Sequence, residues 1–395
     1  MPRRPPAPAP TPPRRSRWLA SAQPRTLIAL LLLGAAHLSG GPRQAAAQGT
    51  VLLQGLADAE LWATDSGSIL LTRNHGRPGA LGRLHLWGAA ELGSRVVVYA
   101  AGTGEAGPAR GEEGAEWYTD MAGVRVMQSS ALVLDVGKMS HPVGAFASRR
   151  LSMRNPLIGV PDGYPVRYPL GVQLSGARGR VDYRAAVVSL PVTHDAYSPE
   201  PTETARPALG GGFTPTTGVR VGASATWGPY LRRDLPAALL AGRSWRAYTQ
   251  QVGAVDVQVS RGYLELRGEL GASRYEVPGN SSGRTIITKG LTYFADARYT
   301  LTPRFFVAGR LERNDYPYIQ PASDTTWMAN ATNMYNGELG AGFRLDARTL
   351  LKASVRADRW YVPAAMRDVL PNGTAFALQV SRTFDVFDAA LWGSR

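Results

Sequence analysis

A group of basic side chains follows an apolar, β-branched run in the first half of the chain. The run ALVLDVG occupies 131–137, and Lys138, Arg149, Arg150 and Arg154 come after it. Guanidinium groups are planar, permanently ionised donors suited to carboxylates, phosphates and other anions. These residues fit a catalytic loop, a nucleic-acid patch or the lining of a pore. The secondary structure predicted around these residues distinguishes between the three possibilities.

Two short motifs have the spacing of known catalytic or nucleotide-binding loops. GTGEAG at 102–107 fits G-x-G-x-x-G, which requires a helix to begin immediately, but Pro108 and further glycines follow. GNSSG at 279–283 fits G-x-S-x-G, which requires a strand-to-helix turn that this stretch does not indicate. Both are interpreted as glycine-rich loops, without a dinucleotide cofactor or a serine nucleophile.

Histidines are few, and they do not indicate a metal site. Beyond residue 48 they are His75, His85, His141 and His194, and the chain has no cysteine. No pair has metal-ligand spacing, so we expect no metal and no other cofactor. The one catalytic arrangement to weigh is His85 with Glu91 on the same face of a strand. We expect no enzymatic activity, and a hydrolase remains the weaker alternative.

The amino-terminal 48 residues have the features of a cleaved signal peptide. A basic, proline-rich opening precedes the apolar run LIALLLLGAA at 27–36, and AAAQ at 45–48 resembles a cleavage site. Ten apolar residues are too few for a membrane-spanning helix, which needs about 20. Because this segment holds seven arginines and no acid, the formal charge of +14 falls to +7 after cleavage. Half of the net positive charge therefore leaves with the signal, and we expect no nucleic-acid partner.

The rest of the chain alternates between apolar and polar residues with a period of two. Examples are VLLQGLADAELWAT at 51–64, YLELRGELGA at 263–272 and TLLKASVRADRW at 349–360. The apolar face is rich in glycine and alanine, which fill a sandwich core poorly but are acceptable against lipid. The polar face carries charges in strand centres, which we predict to face a lumen: Arg83, Glu265, Arg267, Asp296, Arg298, Arg310, Glu312, Arg356 and Asp358. This pattern predicts an all-β fold, an antiparallel transmembrane barrel.

The lengths of the connections between strands predict the strand number. Seven short links alternate with eight long polar stretches over residues 49–395, which gives 16 strands, within a range of 14–18. Strict alternation requires a weak strand at PALGGGF, 207–213. Barrels of the outer membrane have short periplasmic turns and long external loops. We therefore expect the barrel to lie in the outer membrane.

The longest predicted loop, 138–166, contains the basic residues with which this section began. Apolar residues such as Val143, Phe146 and Leu157 are interspersed with its arginines. Such a loop can pack its apolar side against a wall and direct cations into a lumen. We predict an inward-folding loop whose constriction residues are Lys138, His141, Arg149, Arg150 and Arg154; an external cap is the alternative.

The stretch VGKMSHPVGAF at 136–146 resembles a region of bacterial outer-membrane porins, including the phosphate-selective group. In these proteins a strand ends in Gly–Lys/Arg–x–x–x–Pro–x–Gly, here Gly137, Lys138, Pro142 and Gly144. The resemblance implies passive diffusion of small hydrophilic solutes through a homotrimer in contact with outer-membrane lipid and lipopolysaccharide. Lysine-lined phosphate selectivity is not expected, because the chain has only three lysines, and anion preference is a second hypothesis. A non-conducting structural or adhesive barrel remains the other alternative.

Overall fold

The computed structural model describes residues 50–65, 78–107, 115–161, 168–189, 205–231, 243–278, 285–319, 328–362 and 372–390. The predicted signal peptide, 1–48, lies outside these residues, as do His75, His194 and the GNSSG motif. All of the described residues belong to one compact unit. Among them, no helix is long and apolar enough to cross a bilayer.

The unit is a closed barrel of 16 antiparallel strands, in which each strand pairs with its neighbours in sequence and β1 pairs with β16. The strands are β1 (Thr50–Thr64), β2 (Gly79–Glu91), β3 (Val96–Ala106), β4 (Ala115–Ser129), β5 (Leu132–Lys138), β6 (Leu170–Arg178), β7 (Val181–Val188), β8 (Arg206–Thr216), β9 (Val219–Pro229), β10 (Thr249–Arg261), β11 (Leu264–Val277), β12 (Ile286–Thr300), β13 (Phe305–Ile319), β14 (Met328–Arg344), β15 (Thr349–Tyr361) and β16 (Gly373–Ala390). The predicted fold class and strand number are confirmed, including the weak strand β8.

Connection lengths separate the two ends of the barrel. Seven links of two to four residues join strands at one end, and eight connections of eight residues or more lie at the other. Glycines with positive φ stand in several short turns, for example Gly179 at +61° and Gly262 at +60°. Residues with a Cβ rarely adopt this backbone conformation. Glycine adopts it readily and so permits the tight turn between two strands.

Side chains alternate between the outside of the barrel and its lumen. Leu339 and Phe376 project outward and are 67% and 62% exposed, whereas Asp58 and Glu60 are buried on the lumen side. This is the reverse of a soluble sandwich, because the exposed face is the apolar one. The arrangement is that of a transmembrane barrel, whose backbone polar groups pair around a closed sheet.

Aromatic residues near strand ends project to both sides of the barrel wall. Trp227, Tyr299 and Tyr361 are exposed on the outer face. Trp62 and Tyr275 are buried instead, and the indole of Trp62 donates to Glu60 Oε2 at 2.7 Å. An aromatic ring near a strand end therefore does not by itself indicate a lipid contact, since the phase of the strand decides which way it projects.

The outward face of β11 generates a stability prediction. Leu270 lies mid-strand and is exposed on the apolar outer face. We expect Leu270→Arg to lower the free energy of unfolding by about 2–4 kcal/mol, because it places a charge near the bilayer midplane. The matched control is Leu345→Arg in the short β14–β15 turn, where we expect the free energy of unfolding to fall by only about 0–1 kcal/mol. Denaturant titration in lipid vesicles measures both, and equal losses would contradict the predicted position of the membrane.

Candidate functional site: the inner loop

The segment 139–161, between β5 and β6, contacts lumen-facing side chains on many strands of the barrel; we call it the inner loop. It contains a short 3-10 helix, Phe146–Arg149, but no longer regular element. Without a ladder of its own, its backbone groups must find partners on the barrel wall or within the loop. These partners define the site.

Lys352 on β15 holds the carboxyl-terminal half of the inner loop. Its Nζ donates to three backbone carbonyls, those of Ser152 at 2.9 Å, Asn155 at 3.1 Å and Leu157 at 2.9 Å. An ammonium group has three protons and no acceptor, so all of its donors are used. Because Lys352 is buried, these contacts fix the loop backbone against β15.

Arg310 on β13 provides a second anchor beside the first. Its Nη1 donates to Gly159 O at 2.8 Å and its Nη2 to Asn155 Oδ1 at 3.3 Å. Its Nε donates to Asp296 Oδ1 at 2.6 Å, which holds the guanidinium in place. From β14, Glu338 accepts a hydrogen bond from Gly159 N at 3.0 Å. A Cβ on Gly159 would lie 2.5 Å from Glu338 Oε2, so the loop approaches this wall more closely than a side chain permits.

The amino-terminal half of the inner loop is held by strands on another part of the wall. Ala145 N donates to Glu269 Oε2 on β11 at 2.8 Å, and Gly144 N donates to Ser224 Oγ on β9 at 3.1 Å. Arg184 on β7 donates to Gly144 O at 2.8 Å. Gly144 has a φ of +82°, and a Cβ there would lie 2.5 Å from Glu269 Oε1. Both observations explain the glycine of the porin-like pattern at this position.

Apolar contacts accompany the polar anchors. Val143 packs in a cluster with lumen-facing residues of β7, β8 and β10: Ala186, Val188, Ala208, Val252 and Ala254. Phe146 meets Phe294 of β12 edge to face, with ring centroids 5.6 Å apart. Leu157 packs with Phe306, Ala308 and Leu350, and Ile158 packs with Trp62, Ala375 and Ala377. The lumen face is therefore apolar at positions that the inner loop covers.

Arg150 joins the middle of the inner loop to β4 and β3. Its Nη2 donates to Asp120 Oδ2 and, at 3.3 Å, to Thr103 Oγ1. The guanidinium lies 4.8 Å from the ring centroid of Tyr168, in the connection that returns the chain to β6. Burial raises the pKa of the Tyr168 hydroxyl, and the nearby guanidinium partly offsets this. Arg150 is thus an ion-paired structural contact as well as a cation of the loop.

His85 lies in a polar group with Asp58, Ser152 and Thr103, but the geometry is not that of a hydrolase triad. Ser152 Oγ donates to Asp58 Oδ1 at 2.5 Å, and His85 Nδ1 lies 2.8 Å from Thr103 Oγ1. The His85 Nε2 atom is 3.7 Å from Asp58 Oδ2. In a serine hydrolase the hydroxyl donates to the imidazole, which the aspartate orients. Here the serine hydroxyl donates to the carboxylate.

The other predicted constriction residues have different positions. Lys138 ends β5, and its Nζ donates to Thr119 O on β4, so it is attached to the wall rather than to the loop. His141 is buried at the start of the inner loop and accepts from Val143 N at 3.2 Å. Arg149 is half-exposed at the end of the 3-10 helix, and Arg154 is exposed.

The predicted lumen charges lie on the inner face and form polar contacts, some between neighbouring strands and some within one strand. Arg83 contacts Glu60 and Glu105; Arg267 and Arg298 contact Glu265; Arg310 contacts Asp296; Arg356 contacts Asp358; and Glu312 accepts from Asn314 and Asn336. Arg220 adds contacts to Asp182 and Asp256, both at 2.7 Å. Within the described residues, no group of three or more histidine or acidic side chains could hold a metal ion.

The sequence did not identify the residues that anchor the inner loop. Lys352, Glu338 and Glu269 look like any other lumen charge when only the period of two is considered. A usable signal was the run of small apolar residues at lumen positions, such as Ala208 and Ala254, where a water-filled lumen would favour polar side chains. These positions mark the wall that the inner loop covers.

Comparison with solved structures gives the same fold at low sequence identity. The anion-selective porin from Comamonas acidovorans aligns with a TM-score of 0.57 and 12% identity, over 85% of this chain and 100% of that one. Salmonella typhi OmpF, in complex with daunomycin, aligns with a TM-score of 0.56 and 10% identity, over 85% of this chain and 97% of that one. OmpT, an outer membrane protein of Vibrio cholerae, aligns with a TM-score of 0.55 and 10% identity, over 86% of this chain and 99% of that one.

The chain has the fold of outer-membrane porins. No protein-family model matches the sequence, and no curated protein is similar to it in sequence. The predicted outer-membrane barrel is confirmed, and the apolar outer face agrees with this location. The inner loop and the charged lumen are the features on which a function must be argued.

The Lys352 anchor can be tested directly. We expect Lys352→Met to leave the barrel folded but to lower the local opening free energy of the inner loop by about 2–4 kcal/mol, because three hydrogen bonds to a charged donor are lost. Hydrogen exchange of amides 151–159 should accelerate by roughly 30- to 1,000-fold. The control is Lys289→Met on the outer face of β12; unchanged exchange in Lys352→Met would show that the anchor is not needed.

Proposed function

We propose that the protein is a porin of the outer membrane that allows passive diffusion of small hydrophilic solutes. The observation that carries this proposal is the inner loop, held inside a closed barrel by contacts with opposite parts of the wall. A loop in that position narrows a lumen without covering its entrance from outside. A catalytic activity is not part of the proposal, since the polar group around His85 lacks the hydrogen bond of a serine hydrolase.

Partly exposed charges support a water-filled path beside the inner loop. Arg125, Arg220, Arg267 and Arg298 are all partly exposed on the inner face. By contrast, Arg310 and Lys352 beneath the loop are buried. If packed side chains filled the whole lumen, the four arginines would be buried as Arg310 and Lys352 are. Their exposure indicates that the inner loop covers one part of the lumen and that another part is in contact with water.

Two lumen ion pairs in which the cation is the more exposed partner support anion preference; in the pairs of Glu265 with Arg267 and Arg298 the carboxylate is the more exposed partner. The Arg125 side chain is 48% exposed and its partner Asp135 only 2%. Arg83 is 21% exposed and its partner Glu60 only 1%. In the Arg125 and Arg83 pairs the guanidinium therefore stands in front of the carboxylate that neutralises it. A permeating ion approaches the cation more closely than the anion behind it, which favours anions.

A homotrimer and contact with outer-membrane lipid remain proposals. One of the similar structures is a trimer form of Vibrio cholerae OmpT, which supports the possibility of the same assembly here. Monomer and trimer are distinguished by the mass of the purified barrel in a defined detergent. A non-conducting structural or adhesive barrel is the competing function, and electrical recording separates it from a porin.

The proposed conduction is tested in planar bilayers. We expect stepwise, ohmic channels that also pass small sugars, because the covered part of the lumen leaves a hydrated remainder. Empty bilayers treated with the same detergent provide the control. Absence of any conductance from barrels shown to be folded by circular dichroism would favour the structural or adhesive alternative.

Anion preference is tested by the reversal potential in a chloride gradient. The wild-type channel should favour chloride, and Arg125→Gln together with Arg298→Gln should move the permeability ratio toward unity, because both replacements remove partly exposed lumen cations. Replacement of Arg149, Arg150 and Arg154 by alanine should also move the permeability ratio toward unity if these cations of the inner loop line the path. Arg359→Gln, on the outer face of β15, is the control. A cation-selective wild-type channel would refute the preference.

A further inference from the structure

A row of polar side chains crosses the outer, membrane-facing wall on four adjacent strands. It consists of Trp227 on β9, Gln251 on β10, Arg274 on β11 and Lys289 on β12, each directly opposite the next in the strand register. Trp227, Gln251 and Lys289 are exposed, and Arg274 is partly exposed. The row lies near the end of the barrel that carries the long connections, which is the external end in outer-membrane barrels.

Two cations in this row, Arg274 and Lys289, face each other across β11 and β12. Like charges directly opposite on neighbouring strands destabilise a sheet unless an anion lies between them. Arg274 contacts Glu276 at 3.6 Å, but the same carboxylate also accepts from Thr249 N at 3.4 Å and lies 3.9 Å from Arg243. Lys289 has no ion pair among the described residues. The surface therefore carries more positive charge than Glu276 neutralises.

An apolar groove adjoins the two cations. It has a volume of about 600 Å³, and its floor is formed by small residues of three strands, Ala225, Gly253 and Ala272. A Cβ added to Gly253 would meet nothing within 4 Å, so the groove is open at this point. A second groove of about 830 Å³, between β14 and β2 on the outer wall, has no charged lining residue.

We propose that this site binds a phosphate-bearing lipid of the outer leaflet. Opposite residues on neighbouring strands have Cβ atoms about 4.5–5.5 Å apart, so Arg274 and Lys289 can both donate to one phosphate group. An acyl chain of the same lipid lies in the groove, and Trp227 packs beside it at the depth of the headgroup. A free anion would use the cations but not the groove. The site does not depend on conduction and would exist equally in a non-conducting barrel.

Binding is measured by native mass spectrometry of the mature barrel in detergent, titrated with bisphosphorylated lipid A. We expect the double variant Arg274→Gln, Lys289→Gln to bind lipid A roughly tenfold or more weakly, because charge-assisted hydrogen bonds to the phosphate are lost. Arg359→Gln removes an outward arginine of β15 whose guanidinium donates to the backbone carbonyls of Asp358 and Gly373, and it should bind as wild type does. Equal affinity of the double variant and the wild type would overturn the proposal.

A second variant tests the groove without changing charge. Gly253→Leu should weaken lipid A binding several-fold because the side chain fills the groove, and the open space at Gly253 allows the barrel to fold. Ala353→Leu, in the uncharged groove, is the matched control. Inorganic phosphate is the competing ligand. If phosphate displaces lipid A at a similar concentration and Gly253→Leu does not weaken lipid A binding, the site binds free anions. In that case the lipid proposal is wrong.

Discussion

The structure depends on one constraint: a backbone polar group that is out of contact with water must find its partner within the protein. The barrel meets this constraint by pairing β1 with β16, so that no strand edge remains. The inner loop has no strand to pair with and meets it differently. Lys352 and Arg310 donate to its carbonyls, while Glu269 and Glu338 accept from its amides. Charged lumen residues thus perform the role that a neighbouring strand performs in the wall.

The same contacts connect folding to the proposed function. Lys352 and Arg310, which bind the inner loop, are buried, whereas Arg125, Arg220, Arg267 and Arg298 elsewhere on the inner face are partly exposed. The loop also covers small apolar residues of β7, β8 and β10. One side of the lumen is consequently a packed interface, and the other is a charged surface in water. The proposed anion preference rests on the pairs of that surface in which the guanidinium is more exposed than its carboxylate, such as Arg125 with Asp135.

The sequence predicted most of the barrel because its signals are local. A period of two identifies strands, and the alternation of short and long links identified β8, whose own pattern is weak. Strand phase alone predicted that Arg83, Arg267 and Arg356 face the lumen. By contrast, position near a strand end does not place an aromatic ring on the outer face, since Trp62 is buried.

The anchors of the inner loop could not be predicted from the sequence, since Lys352 and Ser152 are brought together by closure of the barrel. The central claim is that the inner loop forms the narrowest part of the pore. Single-channel conductance of a variant in which residues 145–158 are replaced by a short glycine–serine linker tests it most directly. The account predicts a larger conductance and a higher size limit for neutral sugars than in the wild type. Unchanged conductance in a folded barrel would contradict it.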